Sequence, residues 1–142
     1  MMTKTADIRE REQEIVEEFS LFDDWMGRYE YLIEMGNDVP QIEADYKTDA
    51  YRVRGCQSQV WVRAEEDDGL VFFKGDSDAS ITRGLVALLI RVLDGQPAEA
   101  IVESDLGFLD AIGMKDHLSP NRKNGLNAMV KQMKARAESF QN

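Results

Sequence analysis

Two short runs of alternating apolar and polar residues, joined by an acidic turn, constrain the fold of this chain most strongly. In residues 57–64, Val60 and Val62 fall on one face of an extended backbone, and polar or aromatic neighbours fall on the other. Residues 65–69, which read Glu-Glu-Asp-Asp-Gly, have the composition of a turn, and a second extended run follows over 70–74. The pattern predicts an antiparallel β-hairpin near the middle of the chain.

Helical patterns lie on either side of this hairpin instead of alternating with further strands. The predicted helices cover residues 7–19, 23–36, 78–95, about 97–102, about 106–112, and a last segment with Ser119 as N-cap and Pro120 in its first turn. Asp23 is the predicted N-cap of the second helix, and Gly36 suits its C-terminal end. Residues 37–51, which include Pro40, predict an irregular connection. This order favours a single α+β domain over residues 1–142, with a small antiparallel sheet packed against several helices.

The charge balance limits the partners that such a domain would take. The chain has 27 acidic and 17 basic residues and a net charge of −10, which disfavours a nucleic acid partner and favours steering toward a basic surface on another protein. No apolar run approaches the ~20 residues of a membrane-spanning helix. The first residues, 1–7, lack the apolar core of a signal peptide, so we expect a cytoplasmic protein.

Cys56 is the only cysteine in the sequence. A lone cysteine excludes an intramolecular disulfide, and cysteine-rich zinc sites and cysteine-ligated clusters are also out of reach. Three roles remain for this thiol: a small buried apolar side chain, a nucleophile, or a sulfur atom that receives a group and passes it on.

The neighbours of Cys56 favour reactivity. Gly55 leaves space beside the thiol, and the polar residues from Gln57 to Gln59 are unusual company for a core residue. If residues 52–56 are extended, Arg52, Arg54 and Cys56 share one face, where guanidinium charge favours the thiolate. We therefore expect a reactive Cys56, although arginines on a strand face are also commonly just solvated surface.

Two acidic residues and the single histidine each allow both a structural and a functional interpretation. Asp76 and Asp78 precede the central helix, where acidic residues commonly stabilise the first turn, so capping competes with a functional role. His117 is the only histidine and is a candidate general base for Cys56, but its position two residues before Ser119 is also that of an ordinary loop residue.

Four stretches of the chain resemble one known family. They are Arg-Gly-Cys-Gln-Ser-Gln-Val-Trp at 54–61, Gly-Asp-Ser-Asp-Ala with the following Ile81 and Gly84-Leu85, His-Leu-Ser-Pro-Asn-Arg at 117–122 with Gly125-Leu126 and Met129, and a weaker signature of Tyr31, Leu32, Ile33 and Gly36. In order and rough spacing they resemble the SufE-like family of sulfur acceptors, which partner cysteine desulfurases in iron–sulfur cluster assembly. The stretch around Cys56 is the most specific of the four.

The resemblance implies a fold related to iron–sulfur scaffold proteins of the NifU type, with the cysteine at a loop tip. It also implies that Cys56 receives sulfane sulfur from the persulfide of a cysteine desulfurase and passes it to an iron–sulfur scaffold or another acceptor. Asp78 and Arg122 match positions associated with the loop environment and the desulfurase interface. The other candidates for partner binding or loop support within the matched stretches are Arg54, Gly55, Gln57 and His117.

On this interpretation the chain needs no metal or cofactor of its own, because the pyridoxal phosphate that releases sulfur from cysteine belongs to the desulfurase. No independent turnover is expected. Two alternatives stay open: a thiol-based redox sensor, and a binding module without catalytic chemistry in which Cys56 is only a core residue.

Overall fold

The computed structural model describes residues 7–39 and 42–141, and within these ranges the chain is an α+β protein, as predicted. The helices are Ile8–Phe19 (α1), Trp25–Asn37 (α2), Ser80–Leu93 (α3), Ala98–Glu103 (α4), Phe108–Ala111 (α5) and Pro120–Glu138 (α6). The strands are Val60–Asp67 (β1), Leu70–Ser77 (β2) and Gln96–Pro97 (β3), and two 3-10 turns cover Ala44–Tyr46 and Lys115–His117. Pro40, in the predicted irregular connection, lies outside the described residues.

The predicted hairpin is confirmed, but its turn is shorter than the sequence indicated. β1 and β2 pair antiparallel along their whole length, from Val60 opposite Ser77 to Asp67 opposite Leu70. Only Asp68 and Gly69 form the turn, and both have positive φ angles, 53° and 81°, as a two-residue hairpin connection of the primed type requires. Glu65, Glu66 and Asp67, which were assigned to the turn, extend β1 instead: their backbone pairs with β2, and their side chains project into solvent.

The sheet has a third strand that the sequence does not predict. β3 pairs antiparallel with the start of β2, so the sheet order is β1-β2-β3, whereas the sequence assigns residue 97 to a helix. The predicted break after α3 is correct: Gly95 has a φ of 72°, and its N–H donates to the carbonyl of Val71 at 2.7 Å. A strand of two residues is too short to show an alternating pattern in the sequence. It is recognised only by its pairing with β2.

α3 lies at the centre of the core. It packs against β2 and against α1, α2 and α6, and for this reason it is buried on nearly all sides rather than along one stripe. α2 approaches α3 closely where Gly36 faces Gly84: a methyl group added to Gly36 would lie 2.9 Å from the backbone nitrogen of Gly84. Gly36 was predicted to end α2, but it lies within the last turn, and packing against Gly84 explains it.

The helix caps agree in part with the sequence prediction. Ser119 is confirmed as the N-cap of α6, since its Oγ accepts the backbone N–H of Arg122 at 3.3 Å. α2 is capped by Asp24 and not by Asp23. α3 has no side-chain cap at all, so capping does not explain Asp78. No helix in the ranges 7–39 and 42–141 combines the length and the apolar character needed to span a membrane.

Candidate functional site

Cys56 lies in a closed loop that immediately precedes β1. The backbone N–H of Val53 donates to the carbonyl of Val60 at 2.8 Å, and Arg52 forms an isolated antiparallel bridge with Trp61. The two ends of the loop are thus held together, and Cys56 sits between them. The chain turns at residues 54–55, where Gly55 has a φ of 94° that favours glycine.

This turn overturns one expectation. Residues 52–56 are not extended, so Arg52, Arg54 and Cys56 do not form a single face. A positive φ within the run breaks the alternation on which that expectation depended. Arg54 points instead to a groove on the outer side of α6, which holds Lys131 and Arg136.

Asp78 supports the far end of the loop. Its carboxylate accepts the backbone N–H of Gln59 at 3.1 Å, and its own N–H donates to the carbonyl of Gln59 at 3.3 Å. The pair of contacts fixes the residue that leads from the loop into β1. Asp78 thereby acts on the position of Cys56 through the backbone, without touching the thiol.

Cys56 is half-buried against the first turns of α6. Its Sγ lies 3.5 Å from the carbonyl oxygen of Gly125, to which the thiol donates a weak hydrogen bond. A methyl group added to Gly125 would stand 3.3 Å from Sγ, so the glycine makes room for the cysteine. Gly125 belongs to the matched C-terminal stretch, yet the sequence alone gave no reason for a glycine inside a helix.

A recess of about 270 Å³ opens beside the thiol, between the loop, α3 and α6. Its walls are formed by Cys56, Gln57, Ser58, Thr82, Leu85, Ser119, Asn121, Arg122, Gly125 and Met129. Asn121 donates to the side-chain oxygen of Gln57 at 3.1 Å, which joins the loop to the start of α6. Arg122 is exposed and contributes the charged side chain of this wall. The recess therefore offers a thiol, hydrogen-bonding groups and one cation.

Burial raises the pKa of the Cys56 thiol, and the charge of Arg52 offsets only part of this effect. The two nearby arginines were expected to favour the thiolate, but in the free chain burial outweighs the effect of the one arginine that acts. Arg52 alone acts on the thiol, because the turn carries Arg54 to the other side of α6. In the absence of a partner, Cys56 is held as a protonated thiol at neutral pH.

Alkylation of Cys56 by iodoacetamide should therefore be slow at pH 7 and should rise with a midpoint above the value of about 8.5 for free cysteine. Arg52→Ala should move this midpoint higher still, because it removes the charge that favours the thiolate. Arg54→Ala is the matched control and should leave the midpoint unchanged. A midpoint below that of free cysteine, or equal shifts in the two variants, would contradict this picture of the thiol.

His117 does not line the recess of Cys56. Its ring stacks on Trp25 with a centroid distance of 3.7 Å and an interplanar angle of 15°, and Nδ1 lies 3.0 Å from the carbonyl oxygen of Gly113. These contacts join the 3-10 turn before α6 to α2. The geometry gives His117 a packing role and supplies no base for Cys56.

Asp76, for which the sequence left both capping and a functional role open, is a buried carboxylate. It is 7% exposed and accepts from Lys47 Nζ at 2.7 Å and Arg83 Nε at 2.8 Å, as well as from the N–H of Ser77. Burial alone would raise the pKa of Asp76, but these donors hold it below its usual range. The cluster ties the segment before the Cys56 loop to β2 and α3, two residues from Asp78. Lys47 is 29 residues and Arg83 seven residues from Asp76 in sequence, so neither contact follows from the pattern of immediate neighbours.

A larger recess of about 510 Å³ lies among α1, α2 and α3, and it contains none of the residues predicted to be functional. Its arginines are already engaged: Arg91 pairs with Glu18, and Arg11 donates to the carbonyl of Asp94. Among residues 7–39 and 42–141, no three His, Cys, Asp or Glu side chains lie together as a metal site would require. That the chain needs no metal or cofactor stays a prediction.

The α+β fold agrees with what comparisons with known proteins find. The model of the SufE family, described as an Fe-S metabolism associated domain, matches residues 13–137. The chain therefore belongs to the SufE family, and its role lies in iron–sulfur metabolism.

Several relatives cover most of the chain. A SufE-like protein from Rhizobium meliloti is 38% identical over 130 residues, which are 88% of this chain and 93% of the relative. A SufE-like protein from Synechocystis is 41% identical over 127 residues, or 89% of this chain and 80% of the relative. SufE-like protein 1 of Arabidopsis thaliana, named as chloroplastic and mitochondrial, is 39% identical over 126 residues, which are 88% of this chain and 34% of the longer plant protein.

The fold is also shared with a solved structure. The solution structure of a hypothetical protein from Thermus thermophilus superimposes with a TM-score of 0.75, at 24% identity, over 91% of this chain and 94% of that one. This similarity supports the α+β architecture and carries no further information about the chemistry.

Proposed function

We propose that this chain is a sulfur carrier that accepts sulfane sulfur on Cys56 from the persulfide of a cysteine desulfurase and stimulates that enzyme. The Cys56 thiolate attacks the terminal sulfur of the donor persulfide, a new sulfur–sulfur bond forms on Cys56, and the bond to the donor cysteine breaks. The donor leaves as a thiolate, so the exchange needs no external oxidant or reductant. The loaded chain then delivers the sulfur to an iron–sulfur scaffold or to another acceptor.

One observation carries the proposal: in a member of the SufE family, the only thiol stands on a closed loop at the edge of a polar recess. A core cysteine would have no such recess, and a reactive cysteine needs access for its partner. Arg122 lines the same recess, where its cation can contact an incoming partner, while Arg52 supplies the charge that favours the thiolate of Cys56. A reducing compartment such as the cytoplasm keeps the single thiol available.

Two alternatives receive less support. A redox sensor needs an exposed thiol of low pKa, whereas burial raises the pKa of Cys56. A purely binding role does not account for a half-buried thiol on a loop whose two ends are held by Val53 and Asp78.

Mass spectrometry tests the proposed function directly. After incubation with a pyridoxal phosphate-dependent cysteine desulfurase and cysteine, the chain should become heavier by one sulfur atom, and the added atom should map to Cys56. Omission of either cysteine or the desulfurase is the control. A chain that stays unmodified while the donor remains loaded would refute the carrier mechanism.

The Cys56 loop should change its arrangement when the donor binds. In the free chain the thiol faces Gly125 and the loop is closed at both ends, which shields the sulfur but also restricts an incoming persulfide. Hydrogen exchange across residues 50–60 should therefore change when the desulfurase is added. Equal protection with and without the donor would show that transfer occurs in the closed arrangement.

Arg122→Ala should weaken stimulation of the desulfurase while the melting temperature changes by less than about 3 °C. Arg122 is exposed in the first turn of α6, where a cation is mildly unfavourable against the helix dipole, so stability does not explain its presence. Lys123→Ala, which removes the neighbouring exposed cation, is the matched control and should reduce stimulation less. Loss of folding with normal stimulation per folded molecule would defeat this assignment.

A further inference from the structure

The solvent side of α6 carries a local positive charge that the composition of the whole chain conceals. The charged residues of α6 are the basic Arg122, Lys123, Lys131, Lys134 and Arg136 and the acidic Glu138. The chain as a whole has a net charge of −10. The net negative charge of the whole chain therefore does not apply to the surface next to Cys56.

A groove of about 520 Å³ runs along this side of α6 and reaches the Cys56 loop. It is lined by Arg54, Ala128, Lys131, Gln132, Ala135, Arg136 and Ser139. The groove adjoins the loop directly, because a methyl group added to Gly55 would lie only 3.3 Å from Cβ of Ala128. A partner segment that lies in the groove would thus be next to the residue preceding Cys56.

The basic side chains of the groove are not neutralised within the described part of the chain. None of its ion pairs involves Arg54, Lys131 or Arg136. Arg136 donates to the carbonyl of Ala50 at 2.7 Å and lies 6.0 Å from the ring of Tyr51, contacts that orient the guanidinium but leave its charge uncompensated. Elsewhere in the protein, arginines such as Arg83 and Arg91 have carboxylate partners.

The groove also contains an unsatisfied hydrogen-bond donor. Within residues 7–39 and 42–141, the buried side-chain polar atom that has no hydrogen-bond partner is Nε2 of Gln132. Buried donors are normally paired, and an unpaired one destabilises the folded state. A carboxylate that entered the groove would meet the three cations, and Nε2 of Gln132, which is buried in the free chain, would reach it only after the side chain rotated outward.

We propose that this basic groove, formed by Arg54, Lys131, Gln132 and Arg136, is the docking site for an acidic segment of the cysteine desulfurase. This inference rests on the proposed function and adds the chemistry of the partner surface. Complementary charge of this kind accelerates encounter and fixes orientation. The attraction between the groove and the acidic segment would guide the donor persulfide along α6 toward Cys56. The net charge of the whole chain, in contrast, had favoured a partner with a basic surface.

The test is the dependence of desulfurase turnover on the concentration of the chain, measured with Lys131→Glu, Arg54→Glu and the control Arg9→Glu. Arg9 lies on the exposed side of α1, lines a different recess, and undergoes the same change of charge. We expect the concentration for half-maximal stimulation to rise about tenfold in the two groove variants at low salt and less than about twofold in the control. The difference should shrink at ~0.5 M salt, because screening weakens the attraction.

Several outcomes would overturn the docking proposal while leaving the sulfur-carrier function intact. One is that the wild type gains sulfur normally, while the concentration for half-maximal stimulation changes equally in the groove variants and in Arg9→Glu. Another is that Lys131→Glu slows alkylation of Cys56 as strongly as it weakens stimulation of the desulfurase. That result would show that the substitution disturbs the Cys56 loop and not a docking contact. Binding of transfer RNA at ~0.15 M salt that Lys131→Glu abolishes, with stimulation unchanged, would assign the groove to nucleic acid instead. Failure of the wild type to gain sulfur would refute the carrier function itself.

Discussion

Cys56→Ser is expected to abolish sulfur loading completely and to return desulfurase turnover to the rate of the donor alone. A serine hydroxyl is a far weaker nucleophile than a thiolate and cannot carry a persulfide, so the donor would retain its sulfur. Serine is close to cysteine in size, and its hydroxyl can turn toward the carbonyl of Gly125, which accepts from the thiol. We therefore expect the free energy of unfolding to change by less than about 1 kcal/mol.

The matched control is Ser58→Ala, which alters another polar side chain in the wall of the same recess. It should load sulfur at a rate close to that of the wild type, as shown by the mass gain over time. If the Cys56→Ser variant stimulated the desulfurase as well as the wild type does, only a binding role would remain for the chain. Unfolding of the serine variant, detected by circular dichroism, would show instead that the thiol is a structural residue.

Much of the fold was predictable because it depends on local patterns. The alternation of Val60 and Val62 predicted a strand that is buried on one face, and both residues are fully buried. Ser119 and Pro120 predicted the start of α6 correctly, since capping involves only neighbouring residues. The length of the hairpin turn was wrong because residues 65–67 are polar and exposed in either conformation, and only pairing with β2 distinguishes strand from turn.

The residues gave Cys56 as the centre of the candidate site, and the family resemblance added Gln57 and Arg122, which line its recess, and Asp78, which supports its loop. Cys56 stood out as the single thiol, but the direction of its pKa shift depends on burial against α6, which no local pattern reveals. Similarly, Asp78 was read as a possible cap, while its contact is with Gln59 across the chain. The contacts of Gly125 with Cys56 and of Lys47 with Asp76 were not predicted for the same reason, because the two residues of each pair are far apart in sequence.

Gly84→Ala is expected to cause a large loss of stability through a contact that lies outside the Cys56 loop. An added methyl group would overlap the backbone carbonyl oxygen of Leu32 in α2 and would lie 2.7 Å from the Cγ atom of the same residue. A helix backbone cannot move aside as a flexible side chain can, so α2 and α3 would have to separate. In an open helix interior the same change would stabilise by about 1 kcal/mol, which makes the sign of the effect diagnostic.

We expect Gly84→Ala to lower the free energy of unfolding by about 3 kcal/mol and the melting temperature by roughly 10 °C, as measured by denaturant titration and thermal melting. The matched control is Gly107→Ala, where the nearest atom would be Oδ1 of Asp105 at an ordinary 3.4 Å and the φ of −60° suits any residue. Since Leu85, the next residue of α3, lines the recess of Cys56, sulfur loading by the folded fraction should also slow. The prediction would be wrong if both alanine variants melted within about 2 °C of the wild type. In that case α2 and α3 would not be held at the short distance that Gly36 and Gly84 allow. Other contacts in the core would then have to position the wall of the site.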